Sequence, residues 1–195
     1  FKINYVAWGK TKNKRNYSWV DLDNDNSIEI IINYLIKKNH THISYINISE
    51  KYNFANERKS SFLKNLKLNN INFNPNYYAS VKLEEPENSF EIIKNMLIKN
   101  KKISAIICST EFSALSAIKA CNYLNYKIGK DISIITFDGP LVRDLSSPPI
   151  TAVSFPVKEL GKRAINILLN KNKNKNKNKN QPINYLAKTK IIERG

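Results

Sequence analysis

The sequence predicts an α/β fold in which mainly parallel sheets are flanked by helices. Strand-like and helix-like segments alternate along all 195 residues, which is typical of βαβ units. Two strand-like segments, 103–108 and 132–137, are almost continuously apolar, as strands covered on both faces of a parallel sheet are. Between them, residues 110–125 place apolar side chains at the spacing of an amphipathic helix.

The remaining elements follow from the same two periodicities. Strands are predicted at 1–6, 17–22, 42–46, 77–81, 103–108, 132–137, 151–155, 183–187 and 190–192. Helices are predicted at 28–36, 56–68, 90–98, 110–125 and 157–170, and polar loops at 9–16 and 84–88. Asp23 or Asp25 is expected to cap the first helix, and Ser109 or Thr110 the fourth, because short polar side chains accept hydrogen bonds from the first helical turn.

Polar side chains follow several of the predicted strands. In open parallel sheets, ligands bind beyond the carboxyl ends of the strands. We therefore expect a ligand site near these ends. The polar residues there are Asp21, Asp23, Ser109, Thr110, Glu111 and Asp138.

The formal net charge of +16 is scattered rather than focused on one element. Five of the lysines lie in the Lys-Asn tract at 171–180, and much of the rest accompanies a general excess of Asn, Lys and Ile. A surface that binds nucleic acid is expected to concentrate its charge. We interpret the tract as a solvated insertion, with a nucleic-acid-binding arm as the alternative.

Several classes of site lack their motifs. Neither a glycine-rich dinucleotide fingerprint, a phosphate-binding loop nor a G-x-S-x-G elbow occurs, so the sequence gives no support to an enzyme, and no cofactor is expected. His40 and His42 have no metal-ligand partner nearby in sequence. Cys108 and Cys121 are expected to be buried free thiols. No apolar run approaches the ~20 residues of a membrane span, and the first residues do not form a signal peptide.

Four ordered segments resemble the lac and galactose repressor family. Residues 106–120 (IICSTEFSALSAIKA) match a strand that runs into Asn-Asp, two residues and Ala-Leu-Gly-Ala. Residues 128–138 (IGKDISIITFD) match the family's (V/I)-x-x-D-(I/V)-S-(V/I)-(V/I)-G-(F/Y)-D. Residues 147–153 (SPPITAV) look like S-P-P-L-T-T-V, and 157–164 look like the helix that follows. The resemblance, with 18–24, 56–62 and 190–195 in order, covers essentially the whole chain.

The resemblance implies a periplasmic-binding-protein-like fold with one complete lobe and part of a second. Residues 1–22 and 155–180 are expected to belong to a partial N-terminal lobe, and 23–154 and 181–195 to the C-terminal lobe. A DNA-binding headpiece is expected outside this chain, which lacks an initiator Met. The implied protein is a cytoplasmic bacterial homodimer that binds a small-molecule effector, a sugar or polyol, and reaches operator DNA only through that headpiece.

Four candidate effector-binding residues are carried over from the family's motifs. Arg58 matches an Arg that holds effector hydroxyls or carboxylates, since a guanidinium offers paired donors. Asp138 matches the Asp of G-(F/Y)-D, which can accept from two sugar hydroxyls. Thr110 and Glu111 stand where the family often has Asn-Asp. This substitution keeps polar acceptors but loses the amide donor. A solvated Arg58, a helix or turn cap at Asp138 and a helix cap at Thr110 are the structural alternatives.

Three further positions are weaker candidates. Trp8 and Trp19 lie near the first crossover between lobes, where either could stack on a sugar or pack in a hinge. Glu84 falls where members place an aromatic over the ligand, so it would hydrogen-bond rather than stack, unless it is a solvated loop residue. Ser61 replaces the glycine of the family's R-x-x-G-F.

The main alternative is a periplasmic sugar-binding protein, which shares the two-lobed fold without the regulator's dimer or headpiece. An enzyme built on a similar sheet is a third reading. A helix-turn-helix immediately upstream would favour the regulator, and a secretion signal would exclude it. The identity of the effector does not follow from these residues.

Overall fold

The computed structural model describes residues 4–10, 17–83, 85, 87–173 and 181–194, with backbone alone for 171–173. Its strands are β1 (Val6–Trp8), β2 (Ser18–Leu22), β3 (Ile43–Ile48), β4 (Tyr78–Val81), β5 (Ala105–Cys108), β6 (Ser133–Phe137), β7 (Thr151–Val153), β8 (Asn184–Ala187) and β9 (Ile191–Ile192). Its helices are α1 (Asn24–Lys37), α2 (Asn53–Leu68), α3 (Asn88–Lys99), α4 (Glu111–Tyr123), α5 (Pro140–Leu145) and α6 (Val157–Lys173), with a short 3-10 turn at Pro75–Tyr77.

The larger sheet has six strands in the order β4-β3-β5-β6-β7-β9. All neighbouring pairs are parallel except β7 and β9, which run antiparallel. The predicted α/β class, with parallel sheets flanked by helices, is confirmed. The carboxyl ends of β3, β5 and β6 lie side by side, so the residues that follow them meet at one edge of the sheet.

Helices cover both faces of this sheet, which explains why its central strands are continuously apolar. Ile106 packs into a core with α3 and α4, whereas its neighbour Ile107 packs into the opposite core with α1 and α2. Both side chains are at most 1 % exposed, and burying each contributes roughly 1.5–3 kcal/mol. None of the described helices is long and apolar enough to cross a lipid bilayer.

The smaller sheet has three parallel strands in the order β1-β2-β8. Its inner face buries Val20 and Ala187 against Leu160 and Ile167 of α6. The chain passes between the two sheets three times, after β2, after β7 and after β8. These crossings place the ends of β1 and β2 opposite the first turn of α2.

The prediction that residues 181–195 all belong to the C-terminal lobe is wrong for Asn184–Ala187. This strand pairs with β2 in the smaller sheet, and the chain returns to the larger sheet only at β9. The local pattern of a short terminal strand pair does not reveal this, because each strand of the pair joins a different sheet.

The elements differ from the predictions elsewhere too, most clearly near the amino terminus and after β6. Helix α2 begins one turn earlier, at Asn53, and the short helix α5 was not predicted. The predicted strand at 1–6 is found at Val6–Trp8, and residues 1–3 lie outside the described residues, as does most of the loop predicted at 9–16. Asp23, not Asp25, caps α1 by accepting from the backbone N–H of Asn26 at 3.1 Å. Most of the Lys-Asn tract, 174–180, also lies outside the described residues.

His40 joins two strands at the amino-end edge of the larger sheet. Its Nδ1 lies 3.0 Å from Ser104 Oγ and its Nε2 lies 3.0 Å from Ser133 Oγ. Partial burial lowers the pKa of His40 below the usual 6.5, because removal from water disfavours the charged imidazolium. The histidine is therefore a neutral bridge at neutral pH and has no role in the site described below.

We expect the stability of the protein to fall on mild acidification because of His40. With its folded pKa below 6.5, the unfolded chain binds the proton first, so stability is fully present above about pH 6.5 and is lost as the pH falls toward the folded pKa. Chemical denaturation between about pH 7.5 and 5.5 should show a smaller loss for His40→Gln than for the wild type. His42→Gln is the control variant, because it removes an exposed imidazole and leaves the bridge made by His40 intact. An equal loss in His40→Gln would contradict this assignment.

Candidate effector-binding cleft

A cleft of about 370 Å³ opens between the smaller sheet and the carboxyl-end edge of the larger sheet. This volume lies in the range of small-ligand pockets. The lining residues come from the last residues of β1 and β2 and from the segments after β1, β2, β3 and β7. They are Trp8, Gly9, Lys10, Asp21, Leu22, Asn24, Tyr52, Asn53, Phe54, Arg58 and Phe155.

Arg58 lies at the base of the cleft and is only 7 % exposed. Its guanidinium carbon stands 3.5 Å from the ring centroid of Phe137 and 5.1 Å from that of Phe54. Burial lowers the pKa of Arg58 to about 10, so the side chain is still a cation at neutral pH. No carboxylate of the described residues forms a salt bridge with it, and the aromatic rings supply part of the compensating attraction.

The hydrogen bonds of Arg58 hold two of its three nitrogens. Nε donates to Asn24 Oδ1 at 2.8 Å, and Nη1 donates to the carbonyl oxygen of Ser109 at 3.2 Å. Nη2 makes no hydrogen bond to any of the described residues. One end of the guanidinium therefore remains available to a ligand, while the rest is fixed by the protein.

A polar network links Arg58 to the smaller sheet. Asn24 Nδ2 donates to Glu57 Oε2 at 3.1 Å, and Asn53 Nδ2 donates to Glu57 Oε1 at 2.9 Å. Lys10 Nζ forms an ion pair with Glu57 Oε1 at 3.0 Å, and Asn53 also donates to the carbonyl oxygen of Lys10 at 3.1 Å. Both partners of the ion pair are about one quarter exposed. The network thus joins the segment after β1 to α1 and α2.

Asp21 adds a buried carboxylate to the cleft. Its Oδ2 accepts from the backbone N–H of Lys10 at 3.0 Å, and its Oδ1 accepts from that of Leu22 at 2.8 Å. Burial is the main cause that raises the pKa of Asp21, and the nearby negative charge of Glu57 raises it further. The two backbone hydrogen bonds oppose this shift.

Aromatic side chains form the upper walls. Trp8 is 51 % exposed and Phe155 is 39 % exposed, although both line the cleft. Tyr52 and Phe54 stack at 5.9 Å between ring centroids on the side of α2. Amphipathic walls of this kind, with convergent polar groups at the base, are typical of sites for small organic ligands.

The structure brings Arg58 and Trp8 into one cleft but places Asp138 outside its lining. Asp138 Oδ1 accepts from Arg194 Nη2 at 2.6 Å, and both side chains are less than one fifth exposed. The carboxylate is therefore occupied by a side chain from the end of the chain. Its predicted contact with an effector stays a prediction.

Thr110 and Glu111 have structural partners at the start of α4. Thr110 Oγ1 accepts from the backbone N–H of Ser113 at 3.1 Å, which is the helix cap expected as its structural alternative. Glu111 Oε1 accepts from the backbone N–H of Val142 at 3.0 Å in the first turn of α5. A side chain at Gly139 would collide with the Glu111 carboxylate. Neither residue is in the cleft lining.

The remaining candidates are also located. Trp19 lies on β2 with Lys10 Nζ 5.8 Å from its ring centroid, and it does not line the cleft. Ser61 uses the hydroxyl that a glycine would lack, because its Oγ donates to the carbonyl oxygen of Asp25 at 2.9 Å and joins α2 to α1. Glu84 lies outside the described residues.

Lys10, Asn24, Tyr52, Asn53, Phe54 and Phe155 were not predicted to line the site. All six follow the carboxyl ends of strands. The strand-end rule would have found them if it had been applied to aromatic and amide side chains as well as to acids and hydroxyls.

Comparison with known proteins places this architecture in a family. The periplasmic binding protein-like domain family matches residues 32–195. The chain belongs to this family. Among curated proteins, the chain is similar to the HTH-type transcriptional repressor PurR of Histophilus somni strain 2336, with 32 % identity over 154 residues. The match covers 77 % of this chain and 46 % of that repressor, so the chain spans about half the length of this relative. The resemblance to effector-binding regions of lac and galactose repressors is thereby confirmed.

Solved structures share the fold at lower identity. A complex of the transcriptional regulator CelR with cellobiose superposes with a TM-score of 0.87 at 17 % identity, over 98 % of this chain and 58 % of that one. A regulatory protein of the LacI family from Chloroflexus aggregans gives a TM-score of 0.84 at 24 % identity, over 98 % and 68 %. At these identities the likeness shows the fold alone.

We expect Thr110→Ala to lower the free energy of unfolding by about 1 kcal/mol, because the first turn of α4 loses its cap. Thr110→Ser keeps the capping oxygen and should be close to the wild type. Urea denaturation measures both. If Thr110→Ala were as stable as Thr110→Ser, the hydroxyl would have no capping role. The structural alternative to an effector contact at Thr110 would then be lost.

Proposed function

We propose that this chain is the effector-sensing region of a bacterial, cytoplasmic transcription regulator and that it binds a small uncharged polyol, in particular a sugar, in the cleft around Arg58. The main support is the guanidinium at the base of the cleft, which is fixed through Nε and Nη1 and leaves Nη2 without a partner among the described residues. A donor held in place in this way loses little entropy when a ligand oxygen binds.

The charges around the cleft favour an uncharged ligand. Lys10 and Arg58 supply two cations, while Asp21 and Glu57 supply two carboxylates. Lys10 is already paired with Glu57 at 3.0 Å, so the cleft offers no unbalanced charge to an acid or a phosphate. The side-chain amides and aromatic walls suit a ligand with hydroxyl groups on its rim and an apolar face.

The ligand is proposed to act by selecting one arrangement of two lobes. The smaller sheet is assigned to an N-terminal lobe and the larger sheet to the C-terminal lobe, with the three crossing segments between them. A ligand that contacts both Trp8 and Arg58 stabilises the arrangement in which they face each other. In the whole regulator this change would alter how two headpieces fit operator DNA.

A homodimer is part of the same proposal. Phe112 on α4 and Leu145 on α5 are 52 % and 64 % exposed, and these two helices contact each other. A second copy would cover this apolar surface.

The repressor relatives favour a regulator over an uptake protein or an enzyme.

We expect Arg58→Ala to weaken effector binding at least tenfold, a loss of about 1.4 kcal/mol in binding free energy. A thermal-shift screen of neutral sugars and polyols against the full protein identifies a ligand, and calorimetry then measures its affinity. Arg143→Ala is the matched control, because Arg143 is exposed and paired with Asp144 at 3.2 Å away from the cleft. Unchanged affinity in Arg58→Ala would remove Arg58 from the site.

Trp8→Ala provides a second variant whose folding is not at risk. Trp8 is half exposed, so its loss leaves the core intact while it removes one aromatic wall. Its affinity should also fall. If Trp8→Ala and Arg58→Ala both bound the ligand as the wild type does, the cleft would not be the effector site.

A further inference from the structure

A buried polar network reaches Arg58 through the carbonyl oxygen of Ser109. Its members come from adjacent strands and from the loop after β5. Tyr45 and Asn47 lie on β3, Tyr78 lies at the start of β4, and Ser109 follows β5. Tyr45, Asn47 and Ser109 are at most 5 % exposed. Tyr45, Asn47 and Tyr78 do not line the cleft.

Asn47 is the centre of this network because both the oxygen and the nitrogen of its side-chain amide make hydrogen bonds within it. Its Oδ1 accepts from Ser109 Oγ at 2.8 Å and lies 3.2 Å from the hydroxyl of Tyr45. Its Nδ2 donates to the carbonyl oxygen of Ala55 at 2.9 Å and to the hydroxyl of Tyr78 at 3.1 Å. An amide satisfied in this way has one orientation.

Two of these bonds lead to Arg58. The first reaches Ser109, whose hydroxyl contacts Asn47 Oδ1 and, at 2.7 Å, the hydroxyl of Tyr45. The backbone N–H of Ser109 donates to the carbonyl oxygen of Ile46 at 2.9 Å. With both groups fixed, the Ser109 carbonyl oxygen is aimed at Arg58 Nη1, 3.2 Å away. The second reaches Ala55, which lies one turn before Arg58 on α2 and thus sets the position of that turn against β3.

The outer end of the network closes on α2 again. The hydroxyl of Tyr78 donates to Glu50 Oε1 at 2.7 Å, and Lys59 Nζ donates to the same oxygen at 2.9 Å. Lys59 is the residue after Arg58. Helix α2 is therefore held from below at Ala55 and from the side at Lys59, with Arg58 between these two points.

We propose that Asn47, together with Tyr45 and Ser109, is a positioning residue that fixes the orientation of the Arg58 guanidinium in the cleft. It touches no ligand and acts only through Arg58. The importance of this orientation for effector affinity rests on the proposed function, but the orientation itself does not.

The test observes Arg58 directly in the absence of any ligand. The test uses ¹⁵N NMR of the arginine Nε–H groups of the full protein, of which this chain supplies five, and the signal that disappears in Arg58→Lys is that of Arg58. In the wild type this signal should exchange slowly with solvent, because Nε–H is buried and bonded to Asn24 at 2.8 Å. Asn47→Leu should speed its exchange at least tenfold and move its chemical shift.

Ser44→Ala is the matched control. Ser44 is a buried residue of the same strand, and its hydroxyl donates to the carbonyl oxygen of Ala105 at 3.0 Å outside the network. It should leave the Arg58 signal unchanged. Tyr45→Phe, which removes a single hydroxyl group and keeps the ring, should move the signal in the same direction as Asn47→Leu, and it serves if Asn47→Leu does not fold.

The outcomes separate the two proposals. An unchanged Arg58 signal in Asn47→Leu would overturn the positioning role, and Tyr45→Phe gives the same test if Asn47→Leu does not fold. An equal change of the Arg58 signal in Ser44→Ala would also overturn the role, because it would indicate general loosening of the core. Loss of ligand binding in Arg58→Ala with no effect of Asn47→Leu on Arg58 would leave the proposed function intact. A shifted Arg58 signal with unchanged affinity in Arg58→Ala would support the positioning role and contradict the proposed function.

Discussion

The burial of the Arg58 guanidinium, which forms no salt bridge with a carboxylate of the described residues, is the constraint on which the rest of the site depends. Removing a charge from water costs several kcal/mol unless other groups replace the lost hydration. Around Arg58 these groups are the face of Phe137 at 3.5 Å, the amide oxygen of Asn24 and the carbonyl oxygen of Ser109. Stacking on a desolvated aromatic ring supplies about 2 kcal/mol of this compensation. A carboxylate in the same place would bind the cation more strongly and would neutralise its charge.

The need to satisfy Arg58 also explains why distant segments converge on it. Phe137 ends β6, Asn24 begins α1, Ser109 follows β5, and Phe54 opens α2. Each of these positions lies at the carboxyl-end edge of the larger sheet. The ion pair between Lys10 and Glu57 then attaches the smaller sheet to the same edge. The cleft therefore forms where the two sheets meet, and it has a rigid base with more exposed aromatic walls.

The sequence was sufficient for the architecture because its patterns are local. Continuous apolar segments such as Ile106-Ile107 require cover on both faces, and the structure supplies α3 and α4 on one side and α1 and α2 on the other. The cap at Thr110 was likewise a local feature. In contrast, β8 was assigned to the wrong lobe, since the sheet that a short strand joins is decided by tertiary packing rather than by its own residues.

The candidate site could be predicted only in part for the same reason. Arg58 was identified through the family motif, but its aromatic partners come from segments that have no sequence relation to it. Glu111 was expected at the ligand, yet it accepts from the N–H of Val142 in α5, a helix that the sequence did not predict. The pairing of Asp138 with Arg194 could not be predicted from the sequence, because the ion pair joins positions 56 residues apart.

The most direct test of the cleft as effector site is a crystal structure of the full protein with a neutral sugar that raises its melting temperature. We expect the sugar to lie between Trp8 and Phe155, with a hydroxyl about 3 Å from Arg58 Nη2. Arg58 should keep its bonds to Asn24 and Ser109. A sugar bound elsewhere, with Arg58 Nη2 still without a ligand oxygen, would contradict the assignment of the cleft as the effector site.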